Sequence, residues 1–287
     1  MSASPLEPIV DAIEGAQPLD SVAAPIGKAA RSLATGTPGE ILSGTWLGHP
    51  VHPLLTDVVV GSFTSASLLD LLGADSAAAS ALITIGAAAY APTALTGITD
   101  WSASEASNPA VRRTGLVHAT ANVIGAGLYL ASLRPRARGQ RMKGTLLGLA
   151  GLTVMSAGAY LGGHLTYALG VGADQTVFDP GPQDWTTVAA AGELAPGQPR
   201  RVIADDTPVL LVRHEHGVHA IHDRCSHRGC SLADGELDGE TIVCGCHKSR
   251  FALSDGAVID GPASAPQPAY ETREQGGQIE VRLHPKG

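Results

Sequence analysis

Cys225-Ser226-His227 and, sixteen residues further on, Cys244-Gly245-Cys246-His247 decide how this chain is read. Cys-x-His is followed by Cys-x-x-His, so each half supplies one thiolate and one imidazole. Four such donors suit two kinds of centre. One is a tetrahedral zinc site, which Cys₂His₂ sets form readily. The other is a two-iron, two-sulfide cluster in which two cysteines hold one iron and two histidines the other, an arrangement that raises the reduction potential. Zinc fingers usually pair Cys with Cys and His with His, and the alternation here favours the cluster.

The flanking residues carry the reading further. Cys225 and Cys230 bracket His227 and Gly229, and Cys246 sits inside the second motif. From roughly Trp185 to Leu283 the chain resembles the Rieske proteins of the cytochrome bc complexes. That resemblance implies a [2Fe–2S] cluster held by Cys225, His227, Cys244 and His247, with a Cys230–Cys246 disulfide joining the two loops. Gly256 and Gly261-Pro262-Ala263 look like the family's Pro-rich third loop. Ser249 matches the serine whose hydroxyl donates to a bridging sulfide. Phe251 departs from the pattern, because high-potential members carry a tyrosine there that donates to a ligand thiolate. Hydrogen bonds to cluster sulfurs tune the potential. Ser249 without that tyrosine therefore implies a potential between the family extremes. The ligating histidines are expected at an exposed tip, where loss of a ring proton couples to electron transfer. His214, His216, His219, His222 and His284 read as ordinary strand or loop residues.

Around the motifs the sequence is β in character. Arg201–Ala204, Val209–Val212, Val218–Ile221, Ile242–Cys244 and Gln278–Leu283 are short runs rich in Val, Ile and Leu. Asp205-Asp206, Glu215-His216-Gly217, Asp238-Gly239 and Gln275-Gly276-Gly277 separate them as turns. An antiparallel all-β sandwich with the donors on loops is expected over residues 185–287.

The other half has a different composition. The chain is 44% apolar and only 16% charged, a low charge content for a soluble protein. The charges avoid four stretches. Val51–Leu72 is interrupted only by Asp57 and Asp70, while Ala77–Ile98, Thr114–Leu133 and Gly144–Leu169 carry no Asp, Glu, Lys or Arg. Each reaches the ~20 residues needed to cross ~30 Å of hydrocarbon, and the last three show no charged face at helical spacing. Their density of Gly and Ala suits closely packed membrane helices. An all-α four-helix transmembrane bundle over residues 49–169 is expected. Before it stands an N-terminal tail, residues 1–48, of short amphipathic helices on the membrane surface. Residues 170–184, rich in Gly and Pro, read as a linker.

These spans also resemble an uncharacterised bacterial family of four-helix membrane domains. The matching residues are Gly48-His49-Pro50-Val51-His52-Pro53, Gly97-Ile98-Thr99-Asp100-Trp101, His118 with Asn122, and Gly163-His164. Alternation of direction puts His49, His52, Asp100, His118 and His164 at one membrane face, from which the β domain also departs. Ionisable groups within spans are costly and are by default candidates for function. His118 and His164, with His52 third, could ligate a haem b. The same group could bind a quinone or quinol headgroup, or a non-haem metal with Asp100. Alternatively, His49 and His52 anchor the first helix, and His118 pairs with a neighbouring backbone group.

Arg134, Arg136, Arg138, Arg141 and Lys143 cluster between the third and fourth spans. The positive-inside rule then makes this a multi-pass cell-membrane protein with its β domain on the extracytoplasmic side. An oxidising compartment suits a disulfide. Residues 1–48 lack a continuous apolar signal region, so the tail is expected to cross with the first span. The net charge of −8 argues against nucleic-acid binding.

The function expected from sequence is that of a membrane-anchored Rieske electron carrier, an oxidoreductase component passing one electron at a time between its cluster and a haem or quinol site in the membrane half. Two alternatives stand beside it. One is a tethered Rieske ferredoxin supplying a separate oxygenase, and the other is a redox sensor. A complete Rieske oxygenase is not expected, because nothing after the cluster motif leaves room for its mononuclear iron domain.

Overall fold

The computed structural model describes residues 5–34, 36–215 and 217–284. His216 and its place in a predicted turn lie outside the described residues. The chain divides into two compact units. One is helical and built on Pro50–Val171 together with the tail that ends at Ala34. The other contains Gly172–Gly287 and also the short stretch Thr35–His49 that precedes the first span.

Seven α-helices occur among the described residues: α1 Glu7–Gly15, α2 Asp20–Arg31, α3 Gly36–Ser43, α4 Val51–Leu71, α5 Ser76–Glu105, α6 Pro109–Ala137 and α7 Arg141–Tyr167. The last four are long and apolar enough to cross a membrane, and they form the expected bundle of a multi-pass membrane protein. Local chemistry sets their ends. The Asp75 carboxylate caps α5 by accepting from the Ala77 N–H at 2.9 Å. Asn108 caps α6 at the N–H groups of Ala110 and Val111, with Pro109 at the first helical position, where its missing donor costs nothing.

Helices α5 and α6 run past the apolar stretches read from sequence. The extra turns are polar, and several of their charges are paired. The buried Glu105 carboxylate accepts from Arg31 and, at 2.6 Å, from Arg112. Arg113 donates to both oxygens of Asp20 at 3.0 and 2.7 Å. Glu14 meets His164 at 2.8 Å. The tail helices α1 and α2 are thus seated on α5, α6 and α7 by these contacts.

Small residues bring α6 and α7 together. A Cβ on Gly151 would lie 2.9 Å from the Gly125 carbonyl, and one on Gly125 only 2.2 Å from Met155, so both positions need glycine for this approach. Phe63 and Tyr129 stack at 4.2 Å between centroids in the bundle core. The Tyr129 hydroxyl donates to the Phe63 carbonyl at 3.1 Å and lies 2.7 Å from the Ser67 hydroxyl. Toward the other end of the bundle Asp70 and Arg136 form a buried two-pronged ion pair, one arm of which measures 2.8 Å.

Among its described residues the β unit holds ten strands: β1 Thr186–Ala190, β2 Arg200–Ala204, β3 Thr207–His214, β4 Gly217–His222, β5 Glu236–Asp238, β6 Thr241–Val243, β7 Arg250–Ala252, β8 Val258–Asp260, β9 Ala269–Gln275 and β10 Gln278–Leu283. They form an antiparallel six-stranded sheet in the order β1-β10-β9-β4-β3-β2 and an antiparallel four-stranded sheet β5-β6-β7-β8. Strand β3 explains why its sequence is continuously apolar. With a side-chain period of two, Leu210 and Val212 enter one core with Ile221, Ile242 and Phe251, while Val209 and Leu211 enter a second with Tyr270, Ile279 and Val281. Asp205 and Asp206 turn the β2–β3 hairpin at φ 48° and 71°, conformations that Asp tolerates better than most residues.

Candidate metal centre

Three loops of the β unit build the site. Loop one runs from Cys225 to Cys230, between β4 and β5. Loop two runs from Cys244 to Ser249, between β6 and β7. Loop three runs from Gly261 to Gln267, between β8 and β9.

Loops one and two share one backbone design. The Cys225 N–H donates to the Cys230 carbonyl at 2.8 Å, and the Cys244 N–H donates to that of Ser249 at 2.8 Å. Within each loop the fifth residue donates back to the first: Gly229 to Cys225 at 2.7 Å, and Lys248 to Cys244 at 3.1 Å. Both fifth residues take positive φ, 76° and 65°. Lys248 accepts a left-handed conformation that ordinarily favours glycine, so the second loop carries local strain. The first cysteine of each loop points into the core beside Phe251, Ile242 and Leu232.

The four expected donors lie as two pairs, thiol beside thiol and ring beside ring. The Cys225 and Cys244 thiols are buried, free of disulfide, and hydrogen-bonded to each other. That bond and burial raise the Cys225 thiol, while the same bond and the N–H groups of Cys246 and His247 lower Cys244. The N–H groups of His227 and Arg228 reach Cys225 in the same way. Two amide donors thus aim at each sulfur, an interaction that favours thiolate and opposes the burial that raises both.

The His227 and His247 rings stand 5.1 Å apart, edge to face. Burial, then the neighbouring His247 and Arg228, push His227 down to about 3, and burial and Arg228 also lower His247. Both imidazoles are therefore neutral near pH 7, the form that ligates metal. His227 Nδ1 is buried with no hydrogen-bond partner among the described residues, and such a group calls for a partner. Two amide-supported sulfurs, two neutral imidazoles and one orphaned ring nitrogen fit a Cys₂His₂ metal group.

Cys230 and Cys246 are disulfide-bonded, with sulfurs 2.07 Å apart, and link the end of loop one to the middle of loop two. Cys244 Sγ lies within 4.8 Å of both. Ser249 is fully buried, and its hydroxyl accepts from the Ala263 N–H at 3.1 Å, tying loop two to loop three. Phe251 is buried in the core that holds Cys225 and Cys244. Gly261 adopts φ +92°, and a Cβ there would lie 2.6 Å from Ser249 Cα, so this close approach of the loops requires glycine.

Two supporting residues escaped the sequence reading. Buried Asp223 props loop one, accepting from Ser231 at 2.7 Å and from the Ala233 N–H at 2.8 Å. Its place just before the first motif was the only signal. Thr45 is the second. Its hydroxyl donates to the Gly261 carbonyl at 2.8 Å and lies 3.3 Å from that of Ala263. It stands 216 residues from Gly261 in the chain, and no local pattern marks it.

In the helical unit the histidines are distributed among separate partners. His52 Nδ1 meets the Thr93 carbonyl at 3.0 Å and the Thr96 hydroxyl at 3.2 Å. His118 Nδ1 meets the Gly158 carbonyl at 2.8 Å, and Asn122 Nδ2 lies 3.2 Å from its Nε2. His164 Nε2 meets Glu14. His49 is exposed and belongs with the β unit, whereas Asp100 lies near the end of α5. The glycines of these motifs make room for rings: a Cβ would come within 2.6 Å of His52 at Gly97, 2.9 Å of His118 at Gly162 and 2.2 Å of Trp101 at Gly115.

Two Cys/His loops carried on antiparallel sheets and bridged by a disulfide define a class of metal-centre domain. Residues 184–271 match the Rieske [2Fe-2S] domain. Through this domain the chain belongs to the Rieske family. Residues 48–175 match a second family, described as predicted membrane protein (DUF2231).

Over 100 residues the chain is 32% identical to ferredoxin CarAc of Metapseudomonas resinovorans, covering 34% of this chain and 94% of the relative. Over 81 residues it is 36% identical to the 3-phenylpropionate/cinnamic acid dioxygenase ferredoxin subunit of Escherichia coli K12, covering 28% of this chain and 76% of the relative. Among solved structures it is similar to the ferredoxin of carbazole 1,9a-dioxygenase from Nocardioides aromaticivorans IC177. The identity is 32% and the TM-score 0.33, covering 35% of this chain and 98% of that one.

These relatives correct two expectations. The Rieske domain is akin to ferredoxins of dioxygenases and not to the Rieske proteins of cytochrome bc complexes. The disulfide and Ser249 misled because both act locally, fixing loop two against its neighbours. Transfer to a haem or quinol site in the membrane half is likewise overturned by the ferredoxin kinship. His118 and His164, the expected haem pair, contact Gly158 with Asn122 and Glu14 respectively.

Proposed function

We propose that this protein is a membrane-tethered Rieske ferredoxin that supplies electrons to a separate oxygenase. Cys225 and Cys244 would hold one iron of a [2Fe–2S] cluster, and His227 and His247 the other. Such a cluster takes up and releases one electron at a time, at a potential set by its ligands and by hydrogen bonds to its sulfurs. The protein's own residues do the rest. The amide groups of loops one and two stabilise the thiolates, and the disulfide fixes the distance between the loops. The core around Phe251 keeps water from the cysteine side, while the two imidazole rings stand partly exposed toward a partner. One electron enters from a reductase-type donor, and one leaves to the oxygenase.

The observation that carries this reading is the kinship to a dioxygenase ferredoxin subunit over 76% of that relative's length, with the Cys225–Cys244 and His227–His247 pairs on neighbouring loops. Stopped-flow reoxidation tests it. The dithionite-reduced, detergent-solubilised protein is mixed with the terminal oxygenase of an aromatic-ring dioxygenase or, separately, with a quinone. Rapid reoxidation by the oxygenase alone supports the reading, and reoxidation by the quinone alone contradicts it.

The basic connection between α6 and α7 supports a side for the Rieske domain. Arg134, Arg138, Arg141 and Lys143 remain there after Arg136 is paired with Asp70. With that connection in the cytoplasm, α7 delivers the Rieske domain to the extracytoplasmic side, and its acceptor must be reachable from there. A reporter fused after His284 that is active only outside the cytoplasm reads this directly.

A further inference from the structure

Helix α3 and the turn Thr45–Leu47 belong to the same compact unit as the Rieske domain, although they precede the first membrane span. They lie outside residues 184–271, which match the Rieske family, and before residues 48–175, which match the membrane family. Neither resemblance therefore assigns them a role. Structurally they form a strap whose far end runs into α4.

The strap meets the domain at loop three and the residue before it. Thr45 donates to the Gly261 carbonyl at 2.8 Å and lies 3.3 Å from the Ala263 carbonyl. The Glu40 side chain is hydrogen-bonded to that of Asp260. Gly44 and Gly48, at φ +87° and +71°, bracket the turn that presents Thr45, and the Ser43 hydroxyl lies 3.0 Å from that of Thr45. From loop three the connection continues inward. The Ala263 N–H donates to the Ser249 hydroxyl at 3.1 Å, and Gly261 packs directly on the Ser249 backbone. Ser249 lies two residues past His247. Because its oxygen already accepts from Ala263, its own proton is the donor it can offer to the metal centre.

We propose that the strap Gly36–Leu47 is a built-in part of the metal centre and that Thr45 is its positioning residue, clamping loop three so that Ser249 is held in place against the cluster. The proposal rests on the cluster reading given above and deepens it. It makes the membrane-proximal segment a determinant of the cluster's properties, one that a free-standing Rieske domain of residues 184–271 would lack. Removing the Thr45 hydroxyl leaves the Gly261 carbonyl without its donor and ends the contact with the Ala263 carbonyl. The loop then loosens from Ser249, and the hydrogen bond from Ser249 weakens. Fewer or weaker hydrogen bonds to the sulfurs lower the potential.

The test compares the full detergent-solubilised chain with Thr45→Val and Thr45→Ser, using iron content, the EPR spectrum after dithionite reduction, and a potentiometric titration. Thr45→Val is expected to shift the midpoint downward and to alter the EPR g-values at wild-type iron content, while Thr45→Ser stays with the wild type. Identical midpoints and spectra for wild type and Thr45→Val overturn the proposal, as does a Thr45→Ser shift equal to that of Thr45→Val. If Thr45→Val lowers the iron content, hydrogen exchange decides. Faster exchange confined to Gly256–Gln267 supports the clamp, and unchanged exchange there overturns it. Absence of a Rieske spectrum from the wild type removes the cluster reading itself, and the clamp with it.

Discussion

Removal of the Cys230–Cys246 disulfide should destabilise the Rieske domain by an amount that the chain length fixes. The two cysteines are 16 residues apart in sequence. A cross-link closing a loop of that size removes denatured-state entropy worth about 3 kcal/mol at 25 °C, a shift of roughly 150-fold in the unfolding equilibrium. The double variant Cys230→Ser/Cys246→Ser isolates this effect, because Cys246 is exposed and Cys230 only partly buried, so neither serine is forced into the core. Urea titration of the full chain, followed by the visible circular dichroism of the metal centre, reads the loss. Wild type treated with dithiothreitol should fall on the curve of the variant. A loss below about 1 kcal/mol would refute the reasoning. It would mean that the backbone bonds closing each loop, with the packing of Cys225 and Cys244, already fix the loops without the cross-link.

Other outcomes follow from the same geometry. Ser249→Ala should lower the reduction potential by about 60–120 mV, the equivalent of one charge-assisted hydrogen bond of ~1.5–3 kcal/mol in a one-electron couple, measured by EPR-monitored titration. Arg136→Ala leaves Asp70 buried without its partner and should cost about 3–5 kcal/mol. Thermal stability in detergent reads it, and joint replacement of both residues by apolar ones should recover much of the loss. The Asp260 side chain raises the Glu40 carboxyl above 4.5, so the folded strap binds a proton more tightly than the unfolded chain does. Its docking is therefore firmest below that value and weakens as pH rises through the raised range. Limited proteolysis of α3 should become faster across that window, and Glu40→Gln should abolish the dependence.

The sequence made the metal centre legible because its donors lie close together in two short motifs whose spacing is itself the chemistry. Strands β3 and β10 were legible because burial on one or both faces demands apolar residues. Strands β1 and β9 were not. Thr186–Ala190 is small and weakly apolar, and Ala269–Gln275 is mostly polar. Pairing with β10 creates these strands, and pairing leaves no local signature. The membrane helices were recognisable from their apolar stretches, but α5 and α6 extend further: Glu105 and Arg113 find partners in the tail, and Arg112 pairs with Glu105. Those ion pairs join residues as much as 93 positions apart, beyond the reach of any window. The redox partner was misjudged for a related reason. The disulfide and Ser249 report how the loops are held, whereas partner choice resides in surface that the motifs do not describe. Thr45 shows the limit most clearly: a hydroxyl beside loop three, supplied from ahead of the first membrane span.

The most direct test of the central claim is EPR of the intact, detergent-solubilised protein after dithionite reduction, with iron and sulfide analysis of the same sample. A Rieske spectrum at about two irons and two sulfides per chain, abolished by His227→Ala or His247→Ala, is the predicted result. One tightly held zinc per chain and no reduced-state signal after anaerobic iron–sulfide reconstitution would contradict it, leaving Cys225, His227, Cys244 and His247 as a structural site and the protein without its electron-carrying role.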